Sequence, residues 1–165
     1  MKIIFIHLLN DFSGSPKVLS QIVKSYKNKN HDVELFTSKD EGFLSNIVEK
    51  HHNFFYKRFE NKFLTLFSYI LSQVHLFFKI LFSKSNIVYI NTLLPFGAAL
   101  GAKISKKEVI YHIHETSIKP NILKKFLRYI VSITASKIIF VSNDLAQKEK
   151  FENKKSFVIH NALEN

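Results

Sequence analysis

The chain has 165 residues, of which 46% are hydrophobic and 22% charged, so it is predicted to fold as one globular domain and is not of the disordered class. The absence of cysteine excludes disulfide frameworks and thiolate metal sites, and it fits a reducing compartment, so we expect the cytoplasm. Lys and Arg outnumber Asp and Glu by 24 to 13, and this formal charge of +11 favours anionic partners such as nucleic acid, an acidic membrane surface or phosphorylated ligands.

An apolar run over residues 2–9 predicts a buried first strand, which ends in the polar loop NDFSGSPK of residues 10–17. A helical pattern follows, with Ser15 as its predicted N-cap and Pro16 as its first residue. Such a loop can turn backbone N–H groups and the positive end of the helix dipole toward an anion, and Gly14 permits a close approach. The loop matches neither G-x-G-x-x-G nor the Walker A motif, so it does not predict a dinucleotide or Mg-ATP site.

Strand and helix patterns alternate along the rest of the chain. This alternation predicts an α/β fold with a doubly wound, mostly parallel, Rossmann-like sheet flanked by helices. Either Ser142 or Asn143 is predicted to cap the last helix. The predicted strands cover residues 32–37, 53–56, 86–91, 109–114, 137–141 and 156–159. The predicted helices cover residues 42–50, 62–82, 96–105, 121–135 and 143–151.

The segment 62–82 is the most apolar part of the chain. Its polar residues recur three or four positions apart and form one narrow stripe on a helix. They are Thr65, Ser68, Ser72, His75 and Lys79. The apolar surface that remains is wider than packing against one sheet requires, so a second apolar contact is implied. A neighbouring helix, a partner subunit and the headgroup region of a membrane each satisfy it, while a spanning helix is disfavoured by the polar residues.

The stretch VIYHIHETSIKP, residues 109–120, is a strand that ends in titratable and hydroxyl side chains. His112 and His114 share one face under the two-residue period of a strand, and His114 and Glu115 lie where the strand ends. In open α/β sheets, ligands bind outside the carboxyl ends of the strands. The pattern therefore predicts that His114 and Glu115 face a ligand cleft, where a neutral His114 bonds to a sugar hydroxyl. The alternative for His114 is burial with a structural role alone.

Other chemistries find less support in the sequence. A metal site on His112 and His114 needs a third ligand from elsewhere and H-E-x-x-H is absent, so no metal is expected. No Ser/His/Asp or Cys/His nucleophile set and no pair of catalytic carboxylates stands out. The basic residues are not interleaved with aromatic RNA-binding motifs, so nucleic-acid binding would rest on charge alone and is not expected.

Three stretches together resemble the N-terminal domain of family 4 retaining glycosyltransferases with the GT-B architecture. SGSPKVLSQIVKSYKNKNHDVELFTS looks like the family's opening loop, helix and second strand. IYHIHET looks like its strand ending in His and an acidic residue, and IIFVSNDL with VIHNALEN looks like its closing strands at the interdomain hinge. The resemblance covers nearly the whole chain.

This resemblance implies that residues 1–165 form the acceptor-side half of a two-domain hexosyltransferase, with the C-terminal donor-binding domain missing. By position, Gly14 and Ser15 would lie near the phosphates of the nucleotide-sugar donor. His114 would be the catalytic contact to the transferred sugar or acceptor. The residues implied to bind substrate are Asn91, Glu115, Thr116, Ser142 and Asn143. The family's second loop glycine and a nearby acidic residue are Ser15 and Lys17 in this chain.

The implied substrates are a nucleotide sugar and a saccharide or lipid-linked acceptor in glycan or polysaccharide synthesis, with no cofactor. A single domain supplies one wall of the cleft, so we expect activity only when a second domain or a split partner chain completes it. The alternative is a non-catalytic module that binds a ligand or the inner face of an anionic membrane. Binding to liposomes would favour its membrane version.

Overall fold

The computed structural model describes residues 1–115 and 117–160. Within them, seven strands and five helices alternate along the chain, apart from β2 and β3, which follow each other directly. The strands are β1 Lys2–Ile6, β2 Asp32–Ser38, β3 His51–Phe54, β4 Ile87–Asn91, β5 Glu108–Ile113, β6 Lys137–Phe140 and β7 Lys155–Val158. The helices are α1 Gly14–Asn28, α2 Lys62–Leu81, α3 Phe96–Ile104, α4 Asn121–Thr134 and α5 Asn143–Lys148.

The strands form one open sheet in the order β3-β2-β1-β4-β5-β6-β7, and each pair of neighbours among the described strands is parallel. This confirms the predicted doubly wound α/β fold. The chain winds outward in one direction from β1 to β3 and in the other from β4 to β7. The order therefore reverses between β1 and β4, where open α/β sheets bind ligands.

Two apolar cores lie on the two faces of the sheet. Alternate residues of β1 belong to different cores: Ile4 and Ile6 pack in one with α2, α3 and α4, and Ile3 and Phe5 pack in the other with α1. The first layer is the thicker one, with three helices. Burial on both faces explains why the central strands are continuous apolar runs instead of alternating ones.

The segment 42–50 does not form the predicted helix but a series of turns. Side chains hold these turns: Asn10 Oδ1 accepts from Leu44 N–H at 3.0 Å, and Ser45 Oγ accepts from Gly42 N–H at 3.1 Å. Asn46 also has a positive φ of 58°. β3 begins at His51, two residues before the predicted strand.

The side of α2 that packs against α3 and the sheet is mixed, with Tyr69, Leu76 and Ile80 buried beside polar residues, while His75 and Lys79 of the predicted polar stripe are exposed. Ser68, Ser72 and Gln73 are buried, and Gln73 Oε1 accepts a hydrogen bond from Gly97 N–H at 3.0 Å. A Cβ atom on Gly97 would lie 2.0 Å from the carbonyl oxygen of Gln73, and one on Gly101 would lie 2.5 Å from that of Phe77. Two glycines four residues apart thus let the two helix backbones touch, and the wide apolar side of α2 faces outward.

Candidate functional site

Polar residues meet at the carboxyl edge of the sheet where the strand order reverses. Ile6 of β1 is paired with Ile90 of β4, so His7 lies beside Asn91, and Asn91 is paired with His112 of β5. The rings of His112 and His114 are 4.2 Å apart between centroids, as expected for side chains on one face. The parallel register therefore places three histidines and an asparagine in adjacent positions.

Asn91 links three segments of the chain at this edge. Its side chain is fully buried, and its Oδ1 accepts a hydrogen bond from His114 Nε2 at 2.9 Å. Its Nδ2 donates to Ser15 Oγ at 2.9 Å and lies 3.2 Å from His7 Nδ1. His7 Nδ1 is also 3.2 Å from the carbonyl oxygen of Asn91, and its tautomer decides which contact is the hydrogen bond. We call His7, Ser15, Asn91 and His114 the edge cluster.

The three histidines at this edge are held neutral. Burial lowers the pKa of His7 to about 4 and that of His112 to about 4. Burial, with repulsion from His112 and His7, lowers the pKa of His114 to about 3. Because His114 Nε2 donates to Asn91, its Nδ1 is the acceptor in the neutral ring. The ring can therefore accept a hydrogen bond from a ligand hydroxyl at Nδ1.

Acid is expected to weaken the fold through these buried rings. When the pH falls below 6.5 an unfolded histidine takes up a proton, whereas buried His7 stays neutral until about pH 4, so the free energy of unfolding falls across that window. For His7 alone the loss between pH 7.5 and 4.5 is about 2 kcal/mol. Urea unfolding at both pH values should show a smaller loss for His7→Asn than for the unaltered protein. Equal losses would contradict the neutral burial of His7.

The amino-terminal end of α1 lies next to the edge cluster, and the carboxylate of Asp11 accepts a hydrogen bond from the N–H of Ser13 at 3.0 Å there. Its N-cap is Ser13, not the predicted Ser15, and no side-chain cap bond and no first-turn acid is present among the described residues. Ser15 is already the second residue of the helix, and its hydroxyl accepts a hydrogen bond from Asn91, so it is not the cap. A Cβ atom on Gly14 would have no described atom within 4 Å. The space in front of Gly14 is thus available to a ligand.

A groove of about 690 Å³ begins beside the edge cluster, at Glu115. Burial raises the pKa of this carboxyl group, although N–H groups of Leu93 and His114 and the hydroxyl of Thr92 bond to it. The groove runs between the loop after β3, the first turns of α2 and the loop before α4. Its aromatic and aliphatic walls are Leu8, Tyr56, Phe59, Leu66, Tyr69, Leu94, Ile118, Pro120 and Leu123. Three cations, Arg58, Lys62 and Lys119, and the carboxylate of Glu60 also line the walls. We call it the Glu115 groove.

The other predicted site residues lie elsewhere along the same edge. Ser142 follows β6, and its hydroxyl accepts from Leu145 N–H at 3.1 Å, which confirms it as the cap of α5. Asn143 is the exposed first residue of that helix. Neither residue is joined to the edge cluster by a described hydrogen bond, and Thr116 lies outside the described residues. The described part of the chain contains no group of three or more His, Asp or Glu side chains that could hold a metal ion.

The sequence analysis missed His7. It lies inside the predicted first strand as a polar residue in an apolar run, and this interruption was the available signal. Its role follows only from the pairing of β1 with β4, which brings it opposite Asn91 across 84 residues of sequence. Such a long-range register is not encoded in local periodicity.

An open parallel sheet with a polar edge at its switch point defines a Rossmann-like domain. The chain matches the model of Glycosyltransferase Family 4 over residues 12–164. It therefore belongs to glycosyltransferase family 4, and it corresponds to the N-terminal domain of that family's GT-B architecture.

Solved structures share this fold at low sequence identity. Alr3699/HepE of Anabaena, in complex with UDP and glucose, superposes with a TM-score of 0.72 at 18% identity, over 99% of this chain and 45% of that one. The lipopolysaccharide outer core galactosyltransferase WaaB in its apo form has a TM-score of 0.68 at 17% identity, over 99% and 46%. A UDP-N-acetylglucosamine 2-epimerase has a TM-score of 0.67 at 15% identity, over 96% and 47%.

The chain spans a little under half the length of these three proteins. No curated protein matches it in sequence. Because an epimerase shares the fold with a galactosyltransferase, the fold alone does not show which reaction a protein catalyses.

Proposed function

We propose that this chain forms the acceptor side of a retaining glycosyltransferase that uses a nucleotide sugar to build a glycan, polysaccharide or lipid-linked saccharide in the cytoplasm. The observation that carries the proposal is the edge cluster, which joins His114 to the amino terminus of α1 through Asn91 in a chain of glycosyltransferase family 4. The neighbour crystallised with UDP and glucose supports a nucleotide-sugar ligand.

Two features of the edge match the needs of glycosyl transfer. The N–H groups at the start of α1 carry partial positive charge and can stabilise a departing diphosphate, while Gly14 leaves them accessible. The neutral ring of His114 can orient a sugar hydroxyl through Nδ1 without adding charge. These are electrostatic and positioning tasks, which account for much of the rate in such reactions.

The Glu115 groove suits an acceptor with an apolar part. Aromatic walls can pack on a sugar ring or a lipid chain, and Arg58, Lys62 and Lys119 can pair with a phosphate that links the two. Glu115 stands between the groove and the edge cluster, so an acceptor in the groove would have its end beside His114. This proposal requires a second domain, from the same or a partner polypeptide, to enclose the donor.

A transfer assay tests the proposal. The chain is assayed alone and together with a donor-binding GT-B domain, supplied on the same or on a partner polypeptide, using UDP-, GDP- and ADP-sugars and lipid extract as the acceptor source. We expect sugar incorporation only in the combined sample, with the anomeric configuration retained in the product by NMR. If no sugar is incorporated from any donor by a combined sample that contains both folded domains, the proposed function is wrong.

A further inference from the structure

The outward side of α2 is an unpartnered apolar surface. Phe63, Phe67, Ile70, Val74 and Phe78 follow one another at intervals of three or four residues and are all exposed. Phe63 is 83% and Phe67 61% exposed. Soluble domains rarely leave such a continuous apolar stripe in water, so the stripe indicates an interaction surface. We call these five residues the α2 stripe.

Contacts on the opposite side of α2 fix the helix so that the α2 stripe faces outward. The opposite side of α2 is fastened to α3 by the contacts of Gly97 and Gly101, and Tyr69 donates a hydrogen bond to the carbonyl oxygen of Leu94 at 2.6 Å. At the far end, Lys107 Nζ donates to the carbonyl oxygen of Ile80 at 2.9 Å. Rotating α2 to hide the stripe would break these bonds and drive larger side chains against the α3 backbone.

The surface around the α2 stripe is positively charged, which favours an anionic partner. Between Glu60 and Glu108 the sequence contains no acidic residue. Exposed cations flank both ends of the helix: Lys57, Arg58 and Lys62 precede or begin it, and Lys79 and Lys84 lie in or after its last turn. None of these five forms an ion pair with a described residue, whereas Lys124 and Arg128 of α4 are paired with Glu149.

We propose that the α2 stripe docks the domain on an anionic lipid bilayer, with the helix lying in the headgroup region. An apolar stripe bordered by unpaired cations is the arrangement of helices that lie in a membrane surface. Helix α2 is long and apolar enough to cross a membrane by composition, but its buried Ser68, Ser72 and Gln73 are satisfied inside the domain. The helix therefore lies on the bilayer and does not cross it.

Docking in this position would place the Glu115 groove at the membrane surface, because Lys62, Thr65 and Leu66 at the start of α2 also line the groove. A lipid-anchored acceptor could enter the groove from the headgroup region. The docking itself does not depend on the proposed transferase activity, and binding can be measured without donor or acceptor.

Vesicle sedimentation tests the docking. The full chain is mixed with vesicles of phosphatidylcholine alone or with 30% phosphatidylglycerol, at about 0.1 M and 0.5 M salt. We expect binding to the anionic vesicles, at least tenfold weaker binding at the higher salt, and at least tenfold weaker binding for Phe63→Gln/Phe67→Gln. Removing Lys57, Arg58 and Lys62 should weaken binding by about fivefold per cation.

The matched control is Phe12→Gln, which removes a phenylalanine that is 72% exposed and lies outside α2. It should bind the vesicles as the unaltered chain does. Equal binding by Phe63→Gln/Phe67→Gln, or no binding to anionic vesicles, would overturn the proposal. So would protein that resists alkaline carbonate extraction, which would indicate a spanning helix, or a dimer in sedimentation velocity that only the α2 variant dissociates.

Discussion

Replacing His114 with alanine is expected to lower the rate of sugar transfer by about 10²- to 10³-fold, equivalent to about 3–4 kcal/mol of transition-state stabilisation. His114 is the edge-cluster residue whose ring combines partial exposure with a free acceptor nitrogen, Nδ1, in the neutral state. The measurement is kcat/KM of the combined two-domain sample with the donor identified in the transfer assay.

The same change should leave the fold intact, because the ring of His114 is only half-buried and its bond to Asn91 is replaceable by water. Urea unfolding of His114→Ala should agree with that of the unaltered protein to about 1 kcal/mol. His31→Ala is the matched control, since His31 precedes β2 at the opposite edge of the sheet. Normal transfer by His114→Ala, or an equal loss in His31→Ala, would remove His114 from the proposed mechanism.

Replacing Gly97 with alanine is expected to lower the free energy of unfolding by about 3 kcal/mol. The new Cβ would lie 2.0 Å from the backbone oxygen of Gln73, and neither backbone can yield without separating α2 from α3. The bond from Gly97 N–H to Gln73 Oε1 would be strained by the same movement. Chemical denaturation measures the change.

The control for this prediction is the same substitution at an open position. Gly14→Ala places a Cβ where no described atom lies within 4 Å, so its effect on the free energy of unfolding should stay within about 1 kcal/mol. In an unconstrained helix alanine is the better helix former by about 1 kcal/mol, so a stabilised Gly97→Ala protein would show that the two helices do not touch.

The sequence predicted the elements whose signals are local. Central strands such as residues 87–91 are short apolar runs with polar ends. A parallel sheet covered by helices on both faces requires such runs, because both faces of each central strand are buried. The cap at Ser142 was also predictable, because a hydroxyl just before a helix start is a local signal. The family resemblance came from the same strand ends and was confirmed by the match over residues 12–164.

The errors share one physical cause, which is competition from residues distant in sequence. Turns replace the helix predicted over residues 42–50: Asn10, more than 30 residues away, bonds to Leu44 and Ser45, and Asn46 has a positive φ that a helix does not allow. The hydroxyl of Ser15, which was the predicted cap, instead accepts a hydrogen bond from Asn91, 76 residues away. No periodicity in the chain reports these contacts, which arise only when the strands pair.

The orientation of α2 illustrates the same point. The predicted polar stripe of α2 does not lie in one environment, because Ser68 and Ser72 are buried whereas His75 and Lys79 are exposed. Small hydroxyl side chains and two glycines permit a close helix contact that larger apolar residues would prevent. The sequence left a neighbouring helix, a partner and a membrane open as the second apolar contact, and α3 does not supply it, because the apolar side of α2 stays exposed.

The central claim is that the edge cluster forms the acceptor-side wall at which sugar is transferred. The most direct measurement is a crystal structure of the chain with its donor-binding partner and a bound nucleotide sugar. We expect the diphosphate at the amino terminus of α1, beside Gly14, and the transferred sugar within hydrogen-bonding distance of His114. A nucleotide sugar bound with its sugar away from both His114 and Gly14 would contradict it.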